Sequence, residues 1–284
     1  MAEIKRIRVI EGVSMPLVFF GSYQVSKKEV LKSVLTASLE NGITGFDTSP
    51  SYGNQDVFGE MLKACTEELS INREKIFLTG KVDGWQMCRS NGNVEKYVDS
   101  QMKVLKVDYL DLILIHWPFE RYLFNTWKCL ENIYSKGKVK TIGLCNVNKR
   151  VLNKLIEQDI EVKPQVIQNE ISPLRTAEDE VSYFQNQGIV VEAYSPLCRM
   201  MPDVKNSKTL FSIANKYQKS IPQVILRWHI QRGIVPIFTS SKPERIADNI
   251  EIFDFELTEN EVLEINKMNT NYKIFPESYG CPGF

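Results

Sequence analysis

The sequence predicts a (β/α)8 barrel that forms a single domain over residues 1–284. The chain length suits one large α/β barrel of roughly 250 residues. Eight short apolar runs rich in β-branched residues recur along the chain, and stretches with helical periodicity separate them. These runs are apolar throughout, which is typical of parallel strands buried on both faces. Because no low-complexity linker or internal repeat divides the chain, we expect one barrel.

The eight predicted strands alternate with helices from the first run to the last. They cover residues 17–21, 43–47, 76–81, 110–116, 141–146, 166–170, 189–195 and 235–240. Residues 4–15 alternate in polarity around Glu11-Gly12 and predict a short β-hairpin ahead of the barrel. This order of elements is that of a (β/α)8 barrel preceded by a hairpin.

Helix starts and ends carry their own sequence signals. Three segments predict capping boxes, in which a hydroxyl and an acid cap each other's backbone N–H groups: Ser26-x-x-Glu29, Ser241-x-x-Glu244 and Thr258-x-x-Glu261. Ser220 precedes Pro222, which is favoured in a first helical turn. Four glycines follow helical stretches directly and predict left-handed ends there: Gly42, Gly137, Gly188 and Gly233.

Composition excludes several classes of protein and of site. The 43% hydrophobic and 25% charged residues argue against a disordered chain, and the net charge of 0 gives no electrostatic reason to bind nucleic acid or an anionic membrane. The six cysteines and two histidines show no metal-binding spacing. The first residues lack a signal-peptide core, and the sequence has no 18-residue apolar run. We expect a cytoplasmic monomer with reduced thiols and no metal.

Polar side chains stand where the apolar runs end. A barrel places its functional groups at the carboxyl ends of its strands. The residues at these positions, with one tyrosine in the loop after Asp47, are Asp47, Tyr52, Lys81, His116, Asn146, Gln168, Tyr194 and Ser240. A solvated rim is the alternative interpretation, but charged groups that close such apolar runs would be costly to place there without a function.

Seven ordered motifs resemble the aldo-keto reductase family over roughly residues 10–260. They are Gly45-Phe-Asp47-Thr-Ser-Pro-Ser-Tyr52-Gly-Asn54, Thr79-Gly-Lys81, Ile115-His116-Trp117-Pro118, Ile142-Gly-Leu-Cys-Asn146, Val166-Ile-Gln168-Asn-Glu170, Ala193-Tyr194-Ser-Pro-Leu197 and Pro243-Glu-Arg245-Ile-Ala-Asp-Asn249. The resemblance implies reduction of an aldehyde or ketone by NAD(P)H, without a metal. Consistent with this, the sequence has no G-x-G-x-x-G motif of a Rossmann fold.

The resemblance implies four catalytic residues. Tyr52 corresponds to the proton donor, Lys81 and Asp47 to its activating pair, and His116 to the residue that orients the carbonyl group. The physical reason is that hydride addition leaves an alkoxide, which an adjacent acid must neutralise. A phenol is a weak acid at pH 7, but a neighbouring ammonium stabilises the phenolate, and a carboxylate keeps that ammonium charged.

The resemblance also implies a cofactor site. Asn146 and Gln168 correspond to residues that bind the nicotinamide carboxamide, and Tyr194 to an aromatic side chain that stacks on the ring. The remaining implied cofactor-binding residues are Gly21, Ser22, Ser195, Leu197, Ser240, Lys242, Arg245 and Asn249. Thr239 stands where NADPH-preferring members commonly carry a lysine. Because Lys242 and Arg245 still offer two positive charges to a 2′-phosphate, we expect NADPH, with NADH or dual use as the alternative.

The sequence does not identify the substrate, and it leaves two alternative functions open. Tyr23 and Trp117 are expected to line the substrate pocket, while Cys145, where the family often has serine, is expected to be a packing residue and not a redox sensor. One alternative function is a cofactor-binding regulatory barrel with little turnover. The other is a Schiff-base lyase that uses Lys81, although Asp47 should keep that lysine protonated.

Overall fold

Eight parallel strands form a closed barrel in the computed structural model, which describes residues 4–276. An antiparallel hairpin of β1 (Arg6–Ile10) and β2 (Val13–Pro16) precedes it. The barrel strands are β3 (Phe19–Gly21), β4 (Gly45–Asp47), β5 (Phe77–Val82), β6 (Leu112–Ile115), β7 (Ile142–Cys145), β8 (Val166–Glu170), β9 (Val190–Tyr194) and β10 (Ile234–Phe238). Each strand pairs with the next, and β10 pairs with β3 to close the barrel. The predicted (β/α)8 barrel with an N-terminal hairpin is therefore confirmed.

Helices connect the strands on the outside of the barrel. They are α1 (Lys28–Glu40), α2 (Gln55–Glu68), α3 (Gly84–Ser90), α4 (Glu95–Leu105), α5 (Glu120–Ser135), α6 (Lys149–Ile156), α7 (Glu178–Asn186), α8 (Pro202–Lys205), α9 (Lys208–Tyr217), α10 (Ile221–Gln231), α11 (Pro243–Ile250) and α12 (Glu259–Asn266). Within residues 4–276, no helix combines the length and the hydropathy that a membrane span requires.

Half of the predicted helix starts are as expected. Ser220 and Thr258 form capping boxes with Gln223 and Glu261 at the starts of α10 and α12. The boxes predicted at Ser26 and Ser241 are wrong, because α1 and α11 each begin one residue later than those boxes require and follow a lysine whose side chain provides no cap. The four predicted glycine ends are confirmed, since Gly42, Gly137, Gly188 and Gly233 all have positive φ.

The barrel interior is apolar at its amino-terminal end. Side chains from the first residues of several strands form one buried cluster with the hairpin, which includes Val9, Met15, Phe19, Phe77, Leu112, Val166, Val190 and Val235. The hairpin thus closes this end of the barrel, and a second, larger core lies between the strands and the helices. The polar residues are left at the opposite, carboxyl end.

Gly45 makes room for the Phe19 ring in this inner cluster. A Cβ atom at Gly45 would lie 2.8 Å from the ring atoms of Phe19. We predict that Gly45→Ala lowers the free energy of unfolding by about 1–3 kcal/mol, which is typical of overpacking. Urea denaturation should show this loss, and it should shrink when Gly45→Ala is made in a Phe19→Leu background. An equal loss in both backgrounds would contradict the steric explanation.

Candidate active site

Asp47, Lys81 and Tyr52 meet at the carboxyl end of the barrel. Asp47 is the last residue of β4, and Lys81 lies in the neighbouring β5. The Lys81 Nζ is 2.8 Å from Asp47 Oδ1 and 2.7 Å from Tyr52 Oη, and the Tyr52 hydroxyl is 3.3 Å from Asp47 Oδ1. Asp47 and Lys81 are 2% and 1% exposed, so this ion pair has almost no contact with solvent.

A tight turn after β4 places the Tyr52 hydroxyl over Lys81. Residues Pro50–Tyr52 form a single 3₁₀ turn that ends at Gly53, whose φ of 68° requires the left-handed conformation. Ser49 caps the turn by accepting a hydrogen bond from the Ser51 backbone N–H. Tyr23 packs against the Tyr52 ring, with 5.1 Å between ring centroids. The phenol therefore has a fixed orientation.

His116 lies beside Tyr52 and is held by Asp83, a residue that the sequence reasoning missed. The two rings are edge to face at 5.9 Å, and His116 Nδ1 is 2.7 Å from Asp83 Oδ1. The Ser49 hydroxyl and the Ser51 backbone N–H also donate to the Asp83 carboxylate. Asp83 follows Lys81 by two residues, and residues with this spacing in an extended strand point to the same side. This spacing is the sequence signal that could have identified Asp83.

Burial and the ion pair set the protonation states of the catalytic cluster. Burial raises the pKa of the Tyr52 phenol well above its ordinary value, and the Lys81 ammonium only partly opposes this. Burial alone would lower the pKa of Lys81, but the Asp47 carboxylate and, second to it, the Tyr52 oxygen outweigh burial and hold that pKa well above the ordinary value. The expected effect of Lys81 on Tyr52 thus has the right sign but is smaller than the effect of burial.

The Asp83–His116 pair is balanced differently. Burial lowers the pKa of His116 below its ordinary value, although the Asp83 carboxylate opposes this. Burial would raise the pKa of Asp83, but hydrogen bonds from His116, Ser51 and Ser49 bring it below its usual range. Asp83 is therefore ionised at neutral pH and accepts the Nδ1 proton, which fixes the imidazole ring and its tautomer.

Asn146 directly follows β7, Gln168 lies in the middle of β8, and Tyr194 is the last residue of β9. The Tyr194 hydroxyl donates to Asn146 Oδ1 at 2.7 Å, and Asn146 Nδ2 donates to the His116 carbonyl oxygen at 2.9 Å. Gln168 Nε2 donates to Asp47 Oδ2 at 3.0 Å. These bonds connect the expected nicotinamide-binding residues to the expected catalytic residues.

Backbone strain marks the same end of the barrel. Asn146 and Ser195 directly follow β7 and β9, and both have positive φ, at 56° and 50°. Such conformations cost free energy in residues other than glycine and cluster at functional sites. Cys145 lies below Asn146 inside the barrel, and burial raises the pKa of its thiol well above the ordinary value, which agrees with a packing role.

The residues present fit a nicotinamide cofactor. Gly21 and Ser22 follow one another at the end of β3, and the buried Ser22 Oγ has no hydrogen-bond partner within residues 4–276. Thr239 is exposed and donates to the Gly21 carbonyl oxygen at 2.9 Å. Ser22 thus offers an unpaired buried hydroxyl, and Gly21 beside it has no side chain. Both features are consistent with a polar ligand that approaches the backbone closely.

The residues expected on the adenine side of the cofactor lie on or near α11. Lys242 and Arg245 are exposed at its start, Asn249 is buried near its end, and the Ser240 hydroxyl accepts from the Lys242 backbone N–H at 3.0 Å. Ser195 and Leu197 are half-buried in the loop that follows β9. Because no side chain caps the amino end of α11, its positive dipole end and two cations are available to an anion.

Tyr23 and Trp117 are half-buried beside the catalytic residues, and a third aromatic side chain joins them from the C-terminal segment. Phe275 packs edge to face against both Tyr23 and Tyr194, at 6.2 and 5.9 Å between centroids. The Glu170 carboxylate anchors that segment by accepting backbone N–H groups of residues 274 and 275. The sequence reasoning missed Phe275 because no local pattern predicts this long-range contact.

Comparison with known proteins places this geometry in a family. The chain is 37% identical over 266 residues to the uncharacterized oxidoreductase YtbE of Bacillus subtilis, with 94% of this chain and 93% of the relative covered. It is 35% identical over 270 residues to glyoxal reductase of the same organism, with 95% of each covered. Methylglyoxal reductase DkgA of Escherichia coli strain K12 is 33% identical over 280 residues, with 98% of each covered.

Solved structures and a family model agree with these relatives. An aldo-keto reductase of Bombyx mori in complex with NADP superimposes with a TM-score of 0.89 at 28% identity, covering 98% of this chain and 97% of that one. An aldo/keto reductase of Brucella melitensis has a TM-score of 0.84 at 32% identity, covering 94% and 100%. Since residues 18–270 match the Aldo/keto reductase family model, this chain belongs to the aldo/keto reductase family.

Proposed function

We propose that this protein reduces an aldehyde or ketone to an alcohol, with Tyr52 as the proton donor and NADPH as the preferred cofactor. The observation that carries the proposal is the position of Lys81 Nζ, 2.7 Å from the Tyr52 hydroxyl and 2.8 Å from the Asp47 carboxylate. Relatives named glyoxal reductase and methylglyoxal reductase support small aldehydes as the first substrates to test.

The catalytic cluster can neutralise an alkoxide as it forms. A nicotinamide cofactor held by Asn146, Gln168 and Tyr194 would supply hydride to the carbonyl carbon. Tyr52, which burial keeps protonated, then gives its proton to the carbonyl oxygen, and the resulting phenolate lies next to the Lys81 ammonium. Asp47 keeps that ammonium charged and fixed, so the negative charge moves along a preorganised hydrogen-bonded path.

His116 is proposed to orient the substrate oxygen from the other side. With its Nδ1 proton directed to Asp83, the ring presents Nε2 beside Tyr52. The neutral ring can accept a hydrogen bond from the hydroxyl of the alcohol, and the imidazolium form can donate one to the carbonyl oxygen. Asp83 favours the imidazolium form and burial opposes it, so the two effects together set the pH at which the ring changes role.

The alternative functions are less consistent with the cluster. A Schiff-base lyase requires an unprotonated lysine, whereas the pKa of Lys81 lies well above its ordinary value because Asp47 and Tyr52 outweigh the effect of burial. A regulatory barrel with little turnover would not require Tyr52, Lys81 and Asp47 to be held in mutual hydrogen-bond contact. A monomeric state and a cytoplasmic location stay predictions from the sequence.

We predict that Tyr52→Phe lowers kcat for aldehyde reduction by roughly 10²- to 10⁴-fold, because the ring is kept and only the proton donor is lost. The test is NADPH consumption with glyoxal, methylglyoxal and a panel of aldoses and ketones, with NADH run in parallel. Affinity for the cofactor, measured by fluorescence titration, should stay within a fewfold. More than a tenth of the wild-type kcat would contradict the assignment of Tyr52.

We predict that Asp83→Asn lowers the pKa of His116 further, because the carboxylate that stabilises the imidazolium is lost. A looser ring should also lower kcat/KM by roughly 10- to 100-fold. NMR titration can follow the shift, since the chain has only two histidines and burial lowers the pKa of the other, His229, to about 4. Asp56→Asn, an exposed change on α2, is the control; an unchanged His116 pKa in Asp83→Asn would refute the pair.

We predict that Arg245→Ala weakens NADPH binding by roughly 10- to 100-fold and leaves NADH nearly unchanged, because a charge-assisted contact to the 2′-phosphate is lost. Thr239→Lys should raise the preference for NADPH. Both would be measured by fluorescence titration at fixed ionic strength, since salt screens exposed charges. Glu244→Gln on the same helix is the control. Equal losses for both cofactors would show that Arg245 does not discriminate between them.

A further inference from the structure

Glu192 is a buried acid in the barrel interior that the proposed reaction does not use. It lies in β9, in register with Gln168 of β8, and its side chain is fully buried. Its Oε2 accepts a hydrogen bond from Gln168 Nε2 at 2.9 Å. Within residues 4–276, its Oε1 has no hydrogen-bond partner. Burial of an acid with an unpaired oxygen costs free energy, so we expect Glu192 to have a functional role.

Gln168 divides its amide nitrogen between two carboxyl groups. The same Nε2 that donates to Glu192 also donates to Asp47 Oδ2, at 3.0 Å. An amide nitrogen carries two hydrogens, so both are used. If the amide were turned over, its oxygen would face the Asp47 carboxylate, which is unfavourable. Asp47 therefore directs the amide oxygen away from it, and the bond to Glu192 holds the second amide hydrogen in place.

The charged and titratable groups around Glu192 lie on three other strands. Asp47 of β4 and Lys81 of β5 act on it, and the Cys145 thiol of β7 lies close enough to be affected by it. Burial raises the pKa of Glu192 to about 8; Asp47 adds to this, whereas Gln168 and Lys81 oppose it. A neutral Glu192 at pH 7 leaves Lys81 paired with Asp47 alone, and it can still accept the hydrogen bond from Gln168.

We propose that Glu192 is a positioning residue, which holds the Gln168 amide so that its oxygen can accept a hydrogen bond from the nicotinamide carboxamide. The inference rests on the role proposed for Gln168 in binding that carboxamide. Glu192 does not touch the reacting atoms. It acts through one amide whose other N–H donates to Asp47, so removing Glu192 leaves the Gln168 amide nitrogen held by that single hydrogen bond.

Two substitutions separate hydrogen bonding from filling of space. Glu192→Gln keeps an acceptor for Gln168 and removes the ionisation, whereas Glu192→Met keeps most of the volume and removes the acceptor. Loss of one net hydrogen bond is worth up to about tenfold in affinity. At pH 7 we expect Glu192→Met to weaken NADPH and NADH binding about equally, by roughly 5- to 10-fold, and Glu192→Gln to stay within about threefold. Val190→Ala, on the same strand and in the inner cluster, is the packing control and should also stay within about threefold.

A double-mutant cycle with Gln168→Leu tests the route of the effect. If Glu192 acts through Gln168, Glu192→Met should add no further loss of cofactor affinity in the Gln168→Leu background. A full additional loss there, or wild-type affinity in Glu192→Met alone, would overturn the inference while leaving the role of Gln168 intact. Wild-type affinity in Gln168→Leu would instead refute the role of Gln168 itself, and the inference with it.

Infrared difference spectroscopy gives a readout that does not depend on turnover. The wild-type protein minus Glu192→Gln should show the C=O stretch of a protonated carboxylic acid at pH 6, and this band should be lost with a midpoint near pH 8. Its presence supports the neutral acid in contact with Gln168. Absence of the band at pH 6 would show an ionised Glu192 and overturn the neutral state inferred for it.

Discussion

The buried ion pair between Lys81 and Asp47 is the interaction on which the rest of the site depends. Two charges with almost no solvent contact are costly to place in a barrel unless every partner is supplied. Here Lys81 contacts both Asp47 and Tyr52, and the second oxygen of Asp47 accepts from Gln168. The requirement to satisfy the pair thus determines where the phenol and the amide must lie.

The fold supports this pair because the amino-terminal end of the barrel is apolar and the carboxyl end is polar. The hairpin and the first residues of the strands fill the amino-terminal end of the barrel with aliphatic and aromatic side chains. With that end closed by packing, polar residues at the strand ends have a rigid base, and their spacing is set by strand register and not by loops. In the loops that follow β4 and β5, Ser49 and Asp83 contact His116 and hold its ring in place.

The residues proposed to bind the cofactor contact the residues proposed for catalysis directly. Gln168 contacts Asp47 directly, and Asn146 contacts the backbone of His116, so a cofactor bound to these amides would act on the catalytic residues through single hydrogen bonds. The aromatic side chains of Tyr23, Tyr194 and Phe275 bracket the same space. The proposed substrate pocket and the proposed cofactor site are thus lined by one connected group of side chains.

The sequence by itself determined the barrel, its hairpin and which strand ends carry polar groups, because burial on both faces leaves continuous apolar runs and glycine marks left-handed ends. It misplaced the starts of α1 and α11, since a capping pattern also occurs one residue away from the true start. Only the tertiary structure decided the partners that are distant in sequence or hidden in a strand: Asp83 for His116, Glu192 for Gln168 and Phe275 between two tyrosines. The physical reason is that such contacts arise from strand register and long-range packing, which no local pattern of residues encodes.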